Sequence, residues 1–90
     1  MHAVVVQVTI QDFERGREFL TSQVVPRVSQ APGFVAGYWV RTEDNRGRSL
    51  IVFESKEAAE TAKQMIETNP PADDSVTLES AYVGEVVASA

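Results

Sequence analysis

Cysteine is absent from the 90 residues, which excludes disulfides, thiolate metal sites and cysteine nucleophiles together. Positive charge is scarce: eight Lys plus Arg stand against thirteen Asp plus Glu, for a formal charge of −5, and no basic stripe offers itself to a phosphate backbone. Nucleic acid is therefore not an expected partner. No apolar run approaches the ~18 residues of a membrane span. The opening Met1-His2-Ala3-Val4-Val5-Val6 lacks the basic start of a signal peptide and is interrupted by Gln7 and Thr9. No membrane contact is expected, and the expected location is cytoplasmic. There is one His and one Trp, and neither a glycine-rich phosphate loop nor a metal-ligand spacing. The many serines have no His and acid partners at hand. The sequence thus calls for no metal and no cofactor, and it names no catalytic residue.

What is present is organised as one domain over residues 1–90, a length whose core is thin and gains from association. Ala3 to Ile10 is dense in Val and Ile and reads as a strand, with Val4, Val6, Val8 and Ile10 on one face and Ala3 and Val5 on the other. Asp12 can cap a helix towards Gln30, with Phe13, Gly16, Leu20, Val24 and Val28 at helical spacing; Pro26 must kink or interrupt it. Ala31-Pro32-Gly33 stops that helix, and Phe34 to Arg41 is the second strand. Thr42 to Gly47 is a polar loop leading into Ser49–Phe53, which suggests a hairpin. Ser55 can cap a helix over Lys56 to about Thr68, with Ala59, Ala62 and Ile66 on one face and Lys56/Glu60 and Lys63/Glu67 as i,i+4 pairs. Residues 69–74 break the chain, and Val76 to Ala88 is a last strand with Gly84 as a bulge or close-approach point. The order βαββαβ is the α+β, ferredoxin-like arrangement: a four-stranded antiparallel sheet with two helices on one face.

A sheet with one face in water alternates apolar and polar residues, and these strands do not. The second offers Phe34, Ala36, Tyr38 and Val40 against Val35, Gly37 and Trp39; the fourth offers Tyr82, Gly84 and Val86 against Ala81, Val83 and Val87. Two apolar faces need two covers. The sequence therefore predicts a homodimer through the open sheet face.

Pro26-Arg27 leading into Ala31-Pro32-Gly33-Phe34, the Gly37-Tyr38-Trp39 strand, and Val52-Phe53-Glu54-Ser55-Lys56-Glu57-Ala58-Ala59 resemble the antibiotic biosynthesis monooxygenase-like family of dimeric α/β barrels. The resemblance covers nearly the whole chain. It implies a cavity in each subunit between helices and sheet, used in some relatives for cofactor-independent oxygenation of polycyclic aromatics and in others for haem degradation. The haem-degrading relatives use an Asn on the first strand, a Trp on the second helix and a His after it. Here Gln7 lies near the first position and Ala62 near the second, and no His follows His2, which argues against haem. The quinone-forming relatives bind substrate with Trp, Asn and Tyr, residue types met here in Trp39, Tyr38 and Tyr82.

Four side chains are therefore candidates for a small apolar or aromatic ligand. Trp39 either lines a pocket and donates its indole N–H or fills the core or dimer face. Tyr38 and Tyr82 either orient a substrate through their phenols or pack at an interface. Gln7, among valines, needs a hydrogen-bond partner that a ligand would supply. Arg41, Arg46 and Arg48 gather around the hairpin, where they either draw an anion or are simply solvated. Glu79 and Glu85 are six residues apart, roughly 20 Å along a strand, too far to work as a carboxylate pair. Two functions remain open: a ligand-binding, cofactor-independent monooxygenase, or a non-catalytic dimeric module with a filled core.

Overall fold

The computed structural model describes residues 1–68 and 75–90. β1 (His2–Ile10) is the central strand, paired antiparallel to β3 (Arg46–Phe53) on one side and to β4 (Val76–Glu85) on the other. β2 (Phe34–Arg41) pairs with β3, so the sheet order is β2-β3-β1-β4, all antiparallel. The expected α+β, ferredoxin-like topology is the observed one. The expected break at residues 69–74 lies outside the described residues.

Asp12 caps the first helix, its Oδ1 accepting from the Arg15 N–H at 3.2 Å. That helix has three consecutive stretches: α1 (Phe13–Phe19), a π-helical stretch (Leu20–Val24) and α2 (Val25–Ser29). The interruption expected from Pro26 takes this form. Proline has no N–H to donate to the turn before it, and just ahead of it the Val25 N–H bonds to the Leu20 carbonyl, five residues back. Gly33 then turns the chain at φ +81°, where a side chain is strained, and its carbonyl accepts from the Glu54 N–H at 2.8 Å. The second helix, α3 (Lys56–Thr68), starts at Ser55, whose Oγ accepts from the Ala58 N–H at 3.1 Å. It carries both expected ion pairs, Lys56–Glu60 and Lys63–Glu67.

Both helices cover the sheet face bearing Val4, Val6, Ile51, Phe53 and Ala81, which form the core with Ala59 and Ala62 of α3. Three expectations need correction. Phe34 does not share a face with Tyr38: Val35 is the extra residue of a β-bulge between Phe34 and Ala36, which turns Phe34 inward to meet Phe53 edge-on at 6.1 Å. In β4 the bulge sits at Glu79, opposite Gln7/Val8, and not at Gly84, where an added Cβ would meet open space. β4 also ends at Glu85 instead of reaching Ala88. In the hairpin, the residue with positive φ is Asn45, at 57°. Gly47 already belongs to β3, where a Cβ would come within 2.6 Å of Val8 Cγ2.

The face away from the helices is apolar, as the sequence predicts. The cross-strand register places Tyr38, Leu50, Val5 and Tyr82 in one row across all four strands. Their exposures of 65%, 43%, 36% and 61% leave the whole row in water in a single chain. The adjoining row, Ala36, Val52, Ala3 and Gly84, is made of small or branched residues; on the other side stand Val40, Arg48, Gln7 and Ser80.

Candidate functional site

The two helices sit on the sheet differently. α3 lies down against β1, β3 and β4, its small Ala59 and Ala62 letting it approach closely. The first helix is pinned at its two ends. Near its start, Gly16 comes so close to β4 that a Cβ would stand 2.8 Å from Val76 Cγ2; near its end, α2 packs on β2. Between these points the helix spans the sheet like a bridge. Beneath it lies a cavity of about 490 Å³, a size typical of small-molecule sites.

Val6, Val8 and Ile51 form the floor, with Leu20, Val24 and Val28 as the roof. Trp39 is a wall, held by its own strand. Two residues back on the same face is Gly37, and a Cβ there would lie 2.8 Å from Trp39 Cη2 and 2.9 Å from Cζ3. The indole therefore lies back over the glycine, which accounts physically for the Gly37-Tyr38-Trp39 sequence. Ser49 pairs with Trp39 in the register and puts a hydroxyl on the otherwise apolar floor. One end of the cavity is closed by Phe13, with the Arg41 guanidinium 3.7 Å above its ring centroid. Arg17, Gln23 and Arg27 of the first helix also line the cavity, whereas no described Asp, Glu or His does.

Of the four candidates read from the sequence, Trp39 alone lines this cavity. Tyr38 and Gln7 stand on the opposite sheet face. Tyr82 belongs to that face too, and lines a second groove of about 420 Å³ along the β4 edge, beside Glu60 and Lys63 of α3. The four do not converge. The hairpin arginines also separate: Arg41 goes to Phe13, Arg46 Nε lies 3.4 Å from Asp44 Oδ2, and Arg48, in the register row with Gln7 on the open face, meets the cavity at its rim. Asp44 has its carboxyl held below the ordinary carboxylate range, chiefly by the hydrogen bond from Thr42 Oγ1, with Arg46 adding to it. Ser49, Arg17 and Arg27 were not among the candidates. A serine on the inward parity of a strand otherwise filled by Ile51 and Phe53 was the available signal for the first; the arginines read as ordinary helix-surface charge.

Compared with solved structures, the chain matches the crystal structure of a monooxygenase from the gene ActVA-Orf6 of Streptomyces coelicolor, in complex with the ligand nanaomycin D. The match has a TM-score of 0.58 and 15% sequence identity, and covers 98% of this chain and 92% of that one. The fold is the antibiotic biosynthesis monooxygenase-like one. At so low an identity the two chains have the overall fold in common. No protein-family model and no curated protein sequence matches the chain.

Proposed function

We propose that residues 1–90 act as one cytoplasmic domain that pairs with a second copy through the open sheet face. It binds a small, mostly apolar aromatic molecule beneath the first helix and oxygenates it without a cofactor. The observation that carries the binding half is the cavity of about 490 Å³, apolar on floor and roof and walled by Trp39. A filled core, which a purely structural module would have, is what this cavity weighs against. The oxygenase half rests on likeness of fold to a monooxygenase.

The reaction balances without a redox group. A phenol with a free ring position gives up its hydroxyl hydrogen and one ring hydrogen. One atom of O2 becomes the second quinone oxygen and the other leaves as water. The chain's contribution would be to hold the ring against Trp39, to exclude bulk water and to favour the ionised phenol, the electron-rich form that reacts with O2. As no described carboxylate or imidazole lines the site, the phenol proton goes to solvent and not to a dedicated base, and the nearby arginines, which have no acceptor, stabilise the phenolate that is left.

Trp39 is the sole tryptophan, so its emission reports occupancy directly. Titration with a panel of polycyclic phenols should shift or quench that emission, and the bound compounds should consume oxygen. Trp39→Ala should abolish the oxygen uptake while leaving the mass of the assembly in solution unchanged. Emission that no compound perturbs, together with no oxygen uptake, would overturn the proposal.

A further inference from the structure

The charges around the cavity do not resemble those of the chain as a whole. The protein carries thirteen acidic residues against eight Lys plus Arg, yet the charged residues lining the cavity are arginines and none of the described acids is among them. They are Arg17, Arg27, Arg41 and Arg48, the last at a register position on the open sheet face, and they differ from three of the other cations in how they are satisfied. Arg46, Lys56 and Lys63 each have a carboxylate partner. Arg17 has no ion pair among the described residues, and Arg41 has an aromatic face in place of an acid.

The two belong to one end of the cavity. Phe13 and Arg17 are one helical turn apart and so are neighbours on the helix surface, and Arg41 is stacked on Phe13. A guanidinium lying on a ring keeps its N–H edges free for an oxygen acceptor. Arg27 is ten residues further on, roughly 15 Å along a helix, and serves the other end.

We infer that the cavity selects an aromatic anion, a carboxylate or phenolate whose charged oxygens lie between Arg17 and Arg41 while its rings extend beneath the helix towards Trp39. The inference rests on the ligand-binding reading above and adds the ligand's charge and orientation. The preference must be local, because at −5 the chain as a whole repels anions.

The test compares anthracene-9-carboxylate with its methyl ester, two probes of nearly the same shape that differ in charge, each titrated against Trp39 emission. The carboxylate should bind roughly tenfold tighter than the ester at low salt and lose that advantage as salt rises. Arg17→Gln with Arg41→Gln should bring the two probes to parity without weakening the ester, while Arg46→Gln should change neither. Equal or tighter binding of the ester by the unaltered protein overturns the inference and leaves the cavity reading standing. Binding of neither probe overturns both. A carboxylate preference that survives in the double variant overturns the assignment to Arg17 and Arg41.

Discussion

Leu50→Asp tests the proposed pairing of open sheet faces at its centre. Leu50 lies in the Tyr38–Leu50–Val5–Tyr82 row, on an inner strand, with Val5 directly across from it. If each face buries on the order of 600 Å² of apolar surface, association gains about 15 kcal/mol per face, gross, at ~25 cal/mol/Å². Several kcal/mol of that is lost to the cost of association. A two-fold interface contains every substitution twice. Two carboxylates placed without partners in a dry interface cost several kcal/mol each. The dimer should therefore weaken by about a thousandfold or more, since ~4 kcal/mol already accounts for that factor. The isolated subunit should be little affected, because Leu50 is 43% exposed within it and surface substitutions stay mostly within ~0.5 kcal/mol. Sedimentation equilibrium at micromolar concentration should give two chains for the unaltered protein and one for the variant, with matching far-ultraviolet circular dichroism. A variant that sediments as the unaltered protein does, or an unaltered protein already at the mass of one chain, would refute the reasoning.

Other substitutions probe the core, a turn and the hairpin. Phe53→Ala removes a fully buried side chain that also supports Phe34; urea unfolding should show a loss of about 3–5 kcal/mol, a large share of what a small domain has. Gly33→Ala forces a side chain onto a backbone at φ +81°, with its Cβ 3.0 Å from that of Ala58; thermal unfolding should reveal a cost of about 1–3 kcal/mol. Thr42→Val removes the main hydrogen bond that keeps the Asp44 carboxyl below its ordinary range, so NMR titration should show that carboxyl moving up in the variant. The sign for stability follows from the depressed value. The contribution of Asp44 is present above the ordinary carboxylate pKa and is lost as pH falls through the lowered one, so the stability difference between the two proteins should be larger near neutral pH than in strong acid, where only the bond from Thr42 Oγ1 to the Arg46 carbonyl still separates them.

Much of the frame was legible because periodicity and capping are local. Asp12 and Ser55 sit at the caps they suggest, the ion pairs of α3 form where i,i+4 spacing puts them, and the doubly apolar strands match a sheet whose open face carries Tyr38, Leu50, Val5 and Tyr82. The bulges were not legible. An extra residue in a strand changes the parity of everything on one side of it, and neither Val35 nor Glu79 is the glycine that flags such a position. Phe34 was consequently placed beside Tyr38, although it packs on Phe53.

The site was harder to read than the frame because a cavity is a property of heights, and sequence patterns give only faces. The apolar stripe Phe13, Leu20, Val24, Val28 shows which side of the first helix turns to the sheet. It says nothing of the distance at which the helix stops. That distance is set by the close approaches at its two ends, Gly16 on Val76 and α2 on β2, and by the π-helical stretch that Pro26 imposes between them. The same limit explains why aromatic type alone does not locate the site. Trp39 and Tyr38 are adjacent in sequence, so in a strand they must face opposite ways. The first was bound to share the helix side with Gly37, and the second to join Leu50, Val5 and Tyr82. Neighbouring aromatics on one strand could never have lined one pocket; they divide between the two surfaces, Trp39 walling the cavity beneath the first helix and Tyr38 standing on the open face.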